Sequence, residues 1–268
     1  MLHTAWQSID FSYTGFHMAD SRNVGVIVEG IGEVGGNAIK ILVDNGATIL
    51  GISDITGALY CESGLDGNTL KNVIDEKKPV LQIAGIFENA QFEQKPSSLL
   101  TKQADILILA GLGRSINEDI CKNLKVKIIG EGANIAYTRP ELRDMANGMG
   151  IFSIPGIIAN SGGVISSYEE WLLENENLIH IPIEEKWMRV KTSIEKRIKL
   201  NIKELCSRVI EYSGKNPYSY ALDMAAERLK TATEESKKLE AQTKMINRCL
   251  EEKFGVKERG HTFKIRTR

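Results

Sequence analysis

Several residue types that often mark a function are scarce in this sequence of 268 residues. Its four cysteines are far apart and form no C-x-x-C pair, which favours reduced structural thiols over disulfides. The four histidines form no pair at helical spacing, so we expect no metal site. Lysine plus arginine (34) nearly balance aspartate plus glutamate (35), so no general charge attracts nucleic acid or anionic lipid. We therefore expect neither as a partner.

Long apolar runs are also missing. No stretch approaches the roughly 20 residues that a membrane-spanning helix needs. The first twenty residues contain no apolar run flanked by basic residues, as a signal peptide would. We therefore expect a cytoplasmic protein without membrane contact, and the 42% of hydrophobic residues is ordinary for a globular domain.

The sequence does contain alternating strand-like and helix-like segments. The β-branched run at 24–28 predicts a buried strand, and periodic apolar positions from Val34 to Leu42 predict a helix that ends at Asn45-Gly46. A second strand is predicted at 47–52. The alternation continues with a short strand or extended segment at 80–83, strands at 104–109, 127–130 and 151–154, and helices at 115–123 and 139–147.

This alternation predicts the fold class and the division of the chain. Strands that alternate with helices indicate a parallel sheet with helices on both faces. After Asn160 the pattern becomes helical and rich in Lys and Glu, which predicts three to five helices. We predict an α/β fold with a doubly wound, mostly parallel sheet. Its parts are an irregular lead-in at 1–23, the sheet domain at 24–160, a helical C-terminal region of the same domain at 161–254, and a basic tail at 255–268.

A glycine motif, GIGEVG, stands between the first strand and the first helix. In this context a G-x-G-x-x-G pattern predicts a Rossmann-type dinucleotide site. Gly30 permits a tight turn, Gly32 lets the backbone approach a pyrophosphate, and Gly35 lets the helix pack on the strand. The positive end of the helix would face the phosphates. The predicted contact residues are Gly30, Ile31, Gly32, Glu33, Val34 and Gly35.

Asp54 ends the second strand, about 20 residues after the last glycine of the motif, where the fingerprint places an acidic residue on the adenosine ribose. A carboxylate there would repel the 2′-phosphate of NADP. This indicates NAD as the cofactor, with NADP as the alternative. Asp54 also begins the turn Asp-Ile-Thr-Gly, a role that Asp often fills, so a purely local role stays open.

Longer motifs make the sequence resemble the NAD(P)-binding domain of the glutamate/leucine/phenylalanine/valine dehydrogenases, and glutamate dehydrogenase above all. They extend from residue 24 to about 229 and read VEGIGEVG, ADILILAG, EGAN, ANSGGVISSYEEW and, more weakly, ALDMAAERL. EGAN and ANSGGVISSYEEW in this order are much more specific than the glycine motif. The resemblance implies oxidative deamination of an L-amino acid to a 2-oxo acid and ammonium with NAD(P), in an oligomer.

The resemblance also implies roles for individual residues. It places the segment after the fourth strand and the EGAN segment beside the nicotinamide half of the cofactor, which gives Ala110, Gly111, Glu131, Gly132, Ala133 and Asn134 as cofactor residues. Asn160 matches an asparagine that contacts the nicotinamide carboxamide or the substrate. Val164 and Ser167 match positions that line the pocket for the substrate side chain. From the residues alone, Asn134 and Asn160 could equally be turn or cap residues.

Some features of the family pattern are absent. The family's substrate-binding domain supplies lysines and a proton-relay aspartate, whereas residues 1–23 hold no lysine, so we predict no catalytic residue in this chain. Arg114 stands where the family has an asparagine near the nicotinamide ribose, and Gly156 replaces a common aspartate. Three alternatives follow: part of a dehydrogenase that works with a separate substrate-domain chain, a non-catalytic NAD-binding or regulatory protein, or an interaction module with a vestigial site.

Overall fold

The computed structural model describes residues 24–175, 180–212 and 214–254. The predictions for the lead-in at 1–23 and the tail at 255–268 lie outside these residues. In chain order the elements are β1 (Gly25–Glu29), α1 (Glu33–Asp44), β2 (Thr48–Asp54), β3 (Gly57–Tyr60), α2 (Gly67–Asp75), α3 (Val80–Ile83), β4 (Gln91–Glu93), β5 (Ile106–Leu109), α4 (Glu118–Lys122), β6 (Ile128–Glu131), α5 (Glu141–Gly148), β7 (Phe152–Ile154), α6 (Gly156–Ala159), α7 (Gly162–Asn175), α8 (Ile183–Glu211) and α9 (Pro217–Phe254).

A seven-stranded sheet in the order β4-β3-β2-β1-β5-β6-β7 forms the centre of the fold. The strands β2, β1, β5, β6 and β7 run parallel, and β3 and β4 add an antiparallel edge. The predicted α/β class and mostly parallel sheet are therefore confirmed. The direction of winding reverses between β1 and β5, so the carboxyl edge there is where open α/β sheets bind ligands.

Buried β-branched and leucine side chains explain why the central strands form. Val26, Ile27, Leu107 and Ile129 are fully buried, as expected for parallel strands with both faces covered. The helix α1 presents Ala38, Ile39 and Leu42 to the sheet and leaves its other face in solvent. This packing fixes the carboxyl ends of β1, β5 and β6 side by side.

Two predictions about local structure need correction. Residues 80–83 form a single helical turn, α3, and not the predicted strand or extended segment, because the Asp54 carboxylate accepts the free N–H of Val80 at 2.8 Å. The helix predicted at 115–123 begins only at Glu118, because the Asn117 side chain caps it by accepting from the N–H of Ile120 at 2.9 Å.

The described residues after Asn160 form three helices, α7, α8 and α9, which agrees with the predicted three to five helices. The chain divides into two compact units within α9: the first ends at Ala221, and the second begins at Leu222. The predicted boundary at 160/161 stays a prediction. Within the described ranges, every helix is too short or too polar to cross a bilayer.

Candidate functional site

Two glycines of the turn between β1 and α1 are required by the fold itself. Gly30 has a φ of +84°, and a Cβ there would lie 2.7 Å from the carbonyl oxygen of Ala110. A Cβ on Gly35 would lie 1.7 Å from the carbonyl oxygen of Gly30. Side chains at these two positions would therefore prevent the strand, turn and helix from packing together.

Gly32 differs from both. A Cβ at Gly32 would meet nothing within 4 Å, and its φ of −70° suits any residue. It is the N-cap of α1, and no side chain caps that helix. The protein's own packing therefore does not explain why this position lacks a side chain, whereas a ligand lying against the helix start would.

A cavity of about 400 Å³ opens between the start of α1 and the end of β2. This volume is typical of small-molecule sites. The residues that matter most in its lining are Gly32, Glu33, Asp54, Thr56, Lys77 and Lys78. The exposed side chains of Glu33 and Lys77 form an ion pair at 2.9 Å, which lowers the pKa of the Glu33 carboxyl and raises that of the Lys77 ammonium.

Both carboxylate oxygens of Asp54 accept hydrogen bonds from other residues of the protein. One carboxylate oxygen accepts from the backbone N–H of Thr56 at 2.7 Å and from its hydroxyl at 2.5 Å, and the other accepts from the N–H of Val80. Asp54 therefore does have the role in the local turn that the sequence analysis left open. The residue also lines the cavity, so a ribose contact stays a prediction.

Glu29, the last residue of β1, is a site residue that the sequence analysis missed. One carboxylate oxygen accepts a short hydrogen bond from the Ser115 hydroxyl, and the other is buried without a hydrogen-bond partner. Burial raises the pKa of this carboxyl, and the Ser115 hydrogen bond offsets part of the rise. The only local signal was its position directly before the glycine motif.

The segment after β5 lies over Glu29. A Cβ on Gly111 would come within 3.1 Å of the Glu29 carboxylate, which explains the glycine there. Further along, Gly113 and Arg114 have φ values of +95° and +57°. The exposed Arg114 donates its backbone N–H to the carbonyl of Ile135 at 2.5 Å, so the segments after β5 and β6 are joined. The predicted residues Ala110 and Gly111 thus lie beside the EGAN segment.

The Glu131 side chain is engaged in a buried ion pair. Its carboxylate lies 2.9 Å from the Arg143 guanidinium, and the N–H of Gly156 approaches it at 3.4 Å. The guanidinium also stacks on Tyr137 and Tyr218, at 4.8 and 4.3 Å from the ring centroids. The carboxylate therefore joins β6 to α5 and α6, and only the backbone of this residue is left for a ligand at the sheet edge.

The two predicted asparagines come together beyond the ends of β6 and β7. The Asn160 amide donates to the side-chain oxygen of Asn134 at 2.9 Å and to the carbonyl of Gly132 at 3.5 Å. The N–H of Ala133 donates to the carbonyl of Leu109 at 2.7 Å, which ties this segment to β5. Residues 132–134 and 160 therefore form one polar group at the carboxyl edge, although they are far apart in sequence.

Val164 and Ser167 lie on one exposed face of α7, and Val164 is 75% exposed. The opposite side of α7 carries the buried Glu169, which accepts from the Ser193 hydroxyl of α8 at 2.6 Å and lies 3.4 Å from Arg189. The SYEEW motif therefore fixes α7 on α8. This leaves the predicted substrate residues open to solvent.

These residues lie at the carboxyl edge of an α/β sheet, and comparison with known proteins identifies the family of the chain. The family model described as Glutamate/Leucine/Phenylalanine/Valine dehydrogenase matches residues 10–236. This chain belongs to that family.

Two relatives are similar over part of the chain. The NADP-specific glutamate dehydrogenase A1 of Halobacterium salinarum is 33% identical over 162 residues, which cover 60% of this chain and 37% of that protein. The NAD-specific glutamate dehydrogenase of Staphylococcus aureus (strain COL) is 34% identical over 151 residues, covering 56% of this chain and 35% of the relative. The matches thus span little more than a third of these relatives.

Solved structures support the fold. The hetero-hexameric glutamate dehydrogenase of Thermus thermophilus in its Leu-bound form superposes with a TM-score of 0.67 and 23% identity, over 86% of this chain and 50% of that one. The L-tryptophan dehydrogenase of Nostoc punctiforme gives a TM-score of 0.60 and 18% identity, over 87% and 60% of the respective chains. The chain spans about half of such structures.

Proposed function

We propose that this chain is the NAD(P)-binding portion of an amino-acid dehydrogenase. The observation that carries this proposal is Gly32, whose lack of a side chain the protein's packing does not require. The position adjoins the cavity and the uncapped start of α1. A pyrophosphate at this helix start would use both the space and the free N–H groups.

The remaining predicted residues suggest how the cofactor would be oriented. The adenosine half would enter the cavity beside Asp54, and the nicotinamide half would extend past Ala110 and Gly111 toward Asn134 and Asn160. A bound nicotinamide supplies hydride transfer. The amide pair would hold the carboxamide or the substrate, and its mutual hydrogen bond keeps both groups in place.

We propose oxidative deamination of an L-amino acid as the reaction, with glutamate first and leucine or phenylalanine next. The two relatives from Halobacterium salinarum and Staphylococcus aureus are both glutamate dehydrogenases. Val164 and Ser167 would line the side-chain pocket. We place the protein in the cytoplasm and expect a homo- or hetero-oligomer.

A separate substrate-domain chain is part of this proposal, and exposed aromatic side chains support it. Trp171 on α7 and Trp187 on α8 are 55% and 68% exposed, although Glu169 fixes the two helices together. On α7, Trp171 stacks on the exposed Tyr168 and lies seven residues after Val164, on the same face of the helix. Exposed aromatic residues of this kind are enriched at protein interfaces. Arg114, exposed at the nicotinamide side, instead favours the alternative of a non-catalytic NAD-binding protein.

Substitution of Gly32 by Val tests cofactor binding. The added side chain has free space in the protein itself but would occupy the position of the pyrophosphate, so we expect the dissociation constant for NAD to rise at least about tenfold, or roughly 1.4 kcal/mol. Calorimetric titration measures it. Gly85→Val is the matched control, because a Cβ at Gly85 also meets nothing within 4 Å.

Equal affinities for NAD in the wild type and in Gly32→Val would contradict the proposed use of this turn.

The same titration with NADP tests the NAD preference that Asp54 suggests. We expect weaker binding of NADP, because the carboxylate repels a 2′-phosphate. The lysines Lys77 and Lys78 on the same cavity act in the opposite sense, and equal affinities would leave Asp54 as a turn residue only.

A further inference from the structure

The segment after β5 holds an arginine in a backbone conformation that costs energy. Arg114 has a φ of +57°, in the left-handed region that residues other than glycine rarely adopt. Its backbone N–H donates to the carbonyl of Ile135, and Ile116 pairs with Tyr137 in a parallel bridge. The segment after β5 therefore lies along the segment after β6, and Arg114 is fixed beside the residue that follows Asn134. Strained residues of this kind cluster at binding sites and active sites.

The positive charge of Arg114 is not balanced by the carboxyl groups of this part of the sheet edge. Arg114 is exposed, and its guanidinium has no hydrogen bond or ion pair in the part of the chain that the structure describes. The Glu131 carboxylate is already paired with Arg143 at 2.9 Å. The Glu29 carboxyl accepts from Ser115, and burial raises its pKa, which favours its uncharged form. A ligand at this end of the edge would therefore lie beside an unpaired positive charge.

The two redox forms of a nicotinamide cofactor differ in charge at one place. The oxidised nicotinamide ring carries a positive charge and the reduced ring carries none, whereas the pyrophosphate and the riboses are the same in both forms. A fixed positive charge beside the ring therefore repels the oxidised form and not the reduced form. In the proposed binding mode the ring lies toward Asn134 and Asn160, next to the segment that holds Arg114.

We propose that Arg114 makes this site bind the reduced cofactor, NADH, in preference to the oxidised cofactor, NAD. This preference rests on the proposed function, since it requires the nicotinamide at this end of the sheet edge. A site of this kind responds to the redox state of the cofactor without converting a substrate. It therefore agrees with the alternative of a non-catalytic NAD-binding protein, which the exposed Arg114 already favours.

Calorimetric titration of the full chain with NAD and with NADH at low salt tests the preference. The quantity compared is the dissociation constant for NAD divided by that for NADH, because contacts shared by the two forms cancel in this ratio. Arg114→Gln should lower the ratio at least about threefold, whereas Arg114→Lys should keep it, because lysine retains the charge. Lys125→Gln is the matched control, since it removes an equal charge from the loop before β6, at the opposite edge of the sheet.

Equal ratios in the wild type and in Arg114→Gln would overturn the preference and leave cofactor binding intact. An equal fall in Arg114→Gln and Arg114→Lys, or in Arg114→Gln and Lys125→Gln, would overturn it as well, because the effect would not come from the charge at position 114. A wild type that binds neither NAD nor NADH would refute the proposed function and this preference together. At about 1 M salt the Debye length is about 3 Å, so the difference between Arg114→Gln and Arg114→Lys should shrink.

Discussion

At the scale of single residues, Glu29 has one carboxylate oxygen that accepts a hydrogen bond and one that is buried without a hydrogen-bond partner. Its side chain accepts a hydrogen bond from Ser115 and leaves little room for a side chain at position 111, where a Cβ would lie 3.1 Å from the carboxylate. One of its oxygens has no partner although it is buried, which is costly for an ionised carboxylate. This cost is why burial raises the pKa of this group in the folded protein.

The pKa of Glu29 leads to a prediction about pH. Because the folded state holds the proton more tightly, the contribution of Glu29 to stability is fully present below its unfolded pKa and is lost as pH rises through its folded pKa. Glu29→Gln cannot ionise. We therefore expect its free energy of unfolding, relative to the wild type, to increase from pH 4 toward neutral pH.

Urea unfolding at a series of pH values measures this difference. Glu33→Gln is the control of opposite sign, because Lys77 lowers the pKa of the Glu33 carboxyl, and stability from that pair is lost as pH falls. A constant difference between Glu29→Gln and the wild type across the pH range would show that Glu29 titrates alike in the folded and unfolded states.

At the scale of elements, the buried ion pair between Glu131 and Arg143 joins β6 to α5. The side chains are 1% and 10% exposed. Removal of one partner from such a pair leaves an uncompensated buried charge, whereas replacement of both can be nearly neutral. The pair therefore positions the backbone of the EGAN segment, which follows Glu131 directly.

We predict that Arg143→Met destabilises the protein by about 3–5 kcal/mol. Addition of Glu131→Gln should recover much of this loss, because no charge then stays buried without a partner. Denaturant unfolding of the two single variants and the double variant measures the coupling. Lys122→Met, which breaks an exposed pair with Glu118, is the control and should change stability little. If Arg143→Met lowered the free energy of unfolding only slightly, the ion pair between Glu131 and Arg143 would not be what holds β6 and α5 together.

At the scale of the whole molecule, this chain corresponds to only part of the length of its glutamate dehydrogenase relatives. Its carboxyl edge gathers the glycine turn, Asn134 and Asn160, and α7 presents Val164 and Ser167 to solvent. The curated relatives named above are matched over 37% and 35% of their lengths. Hydride transfer needs the substrate carbon held at about 3–3.5 Å from the cofactor, and positioning of this kind contributes about 7–11 kcal/mol.

We therefore predict that this chain, purified alone, binds NAD but does not oxidise glutamate, leucine or phenylalanine. The reaction needs a group that binds the substrate carboxylate and a base that takes its protons. The assay is NADH formation followed by absorbance, with cofactor binding confirmed on the same preparation. Steady-state turnover by the isolated chain would reveal a catalytic base within these residues and would refute the prediction.

The sequence by itself determined the elements whose cause is local. The β-branched run before GIGEVG predicts β1 because such residues favour buried strands, and the periodic apolar residues after it predict α1. Together they predict the α/β class and the edge where a ligand would bind. The motifs EGAN and ANSGGVISSYEEW also indicated the family, because they preserve specific residues beyond the general fold pattern.

Only the tertiary structure decided which side chains stay available at that edge. The Asp54 carboxylate accepts from the N–H of Val80, which is 26 positions further along the chain. The Glu131 carboxylate accepts from Arg143, which is 12 positions further along. The same long-range bond explains why residues 80–83 form a helical turn, since a carboxylate from β2 satisfies its first N–H. The pKa of Glu29 is raised because the folded protein buries its carboxyl. Such effects depend on burial and on partners distant in sequence, which no local pattern specifies.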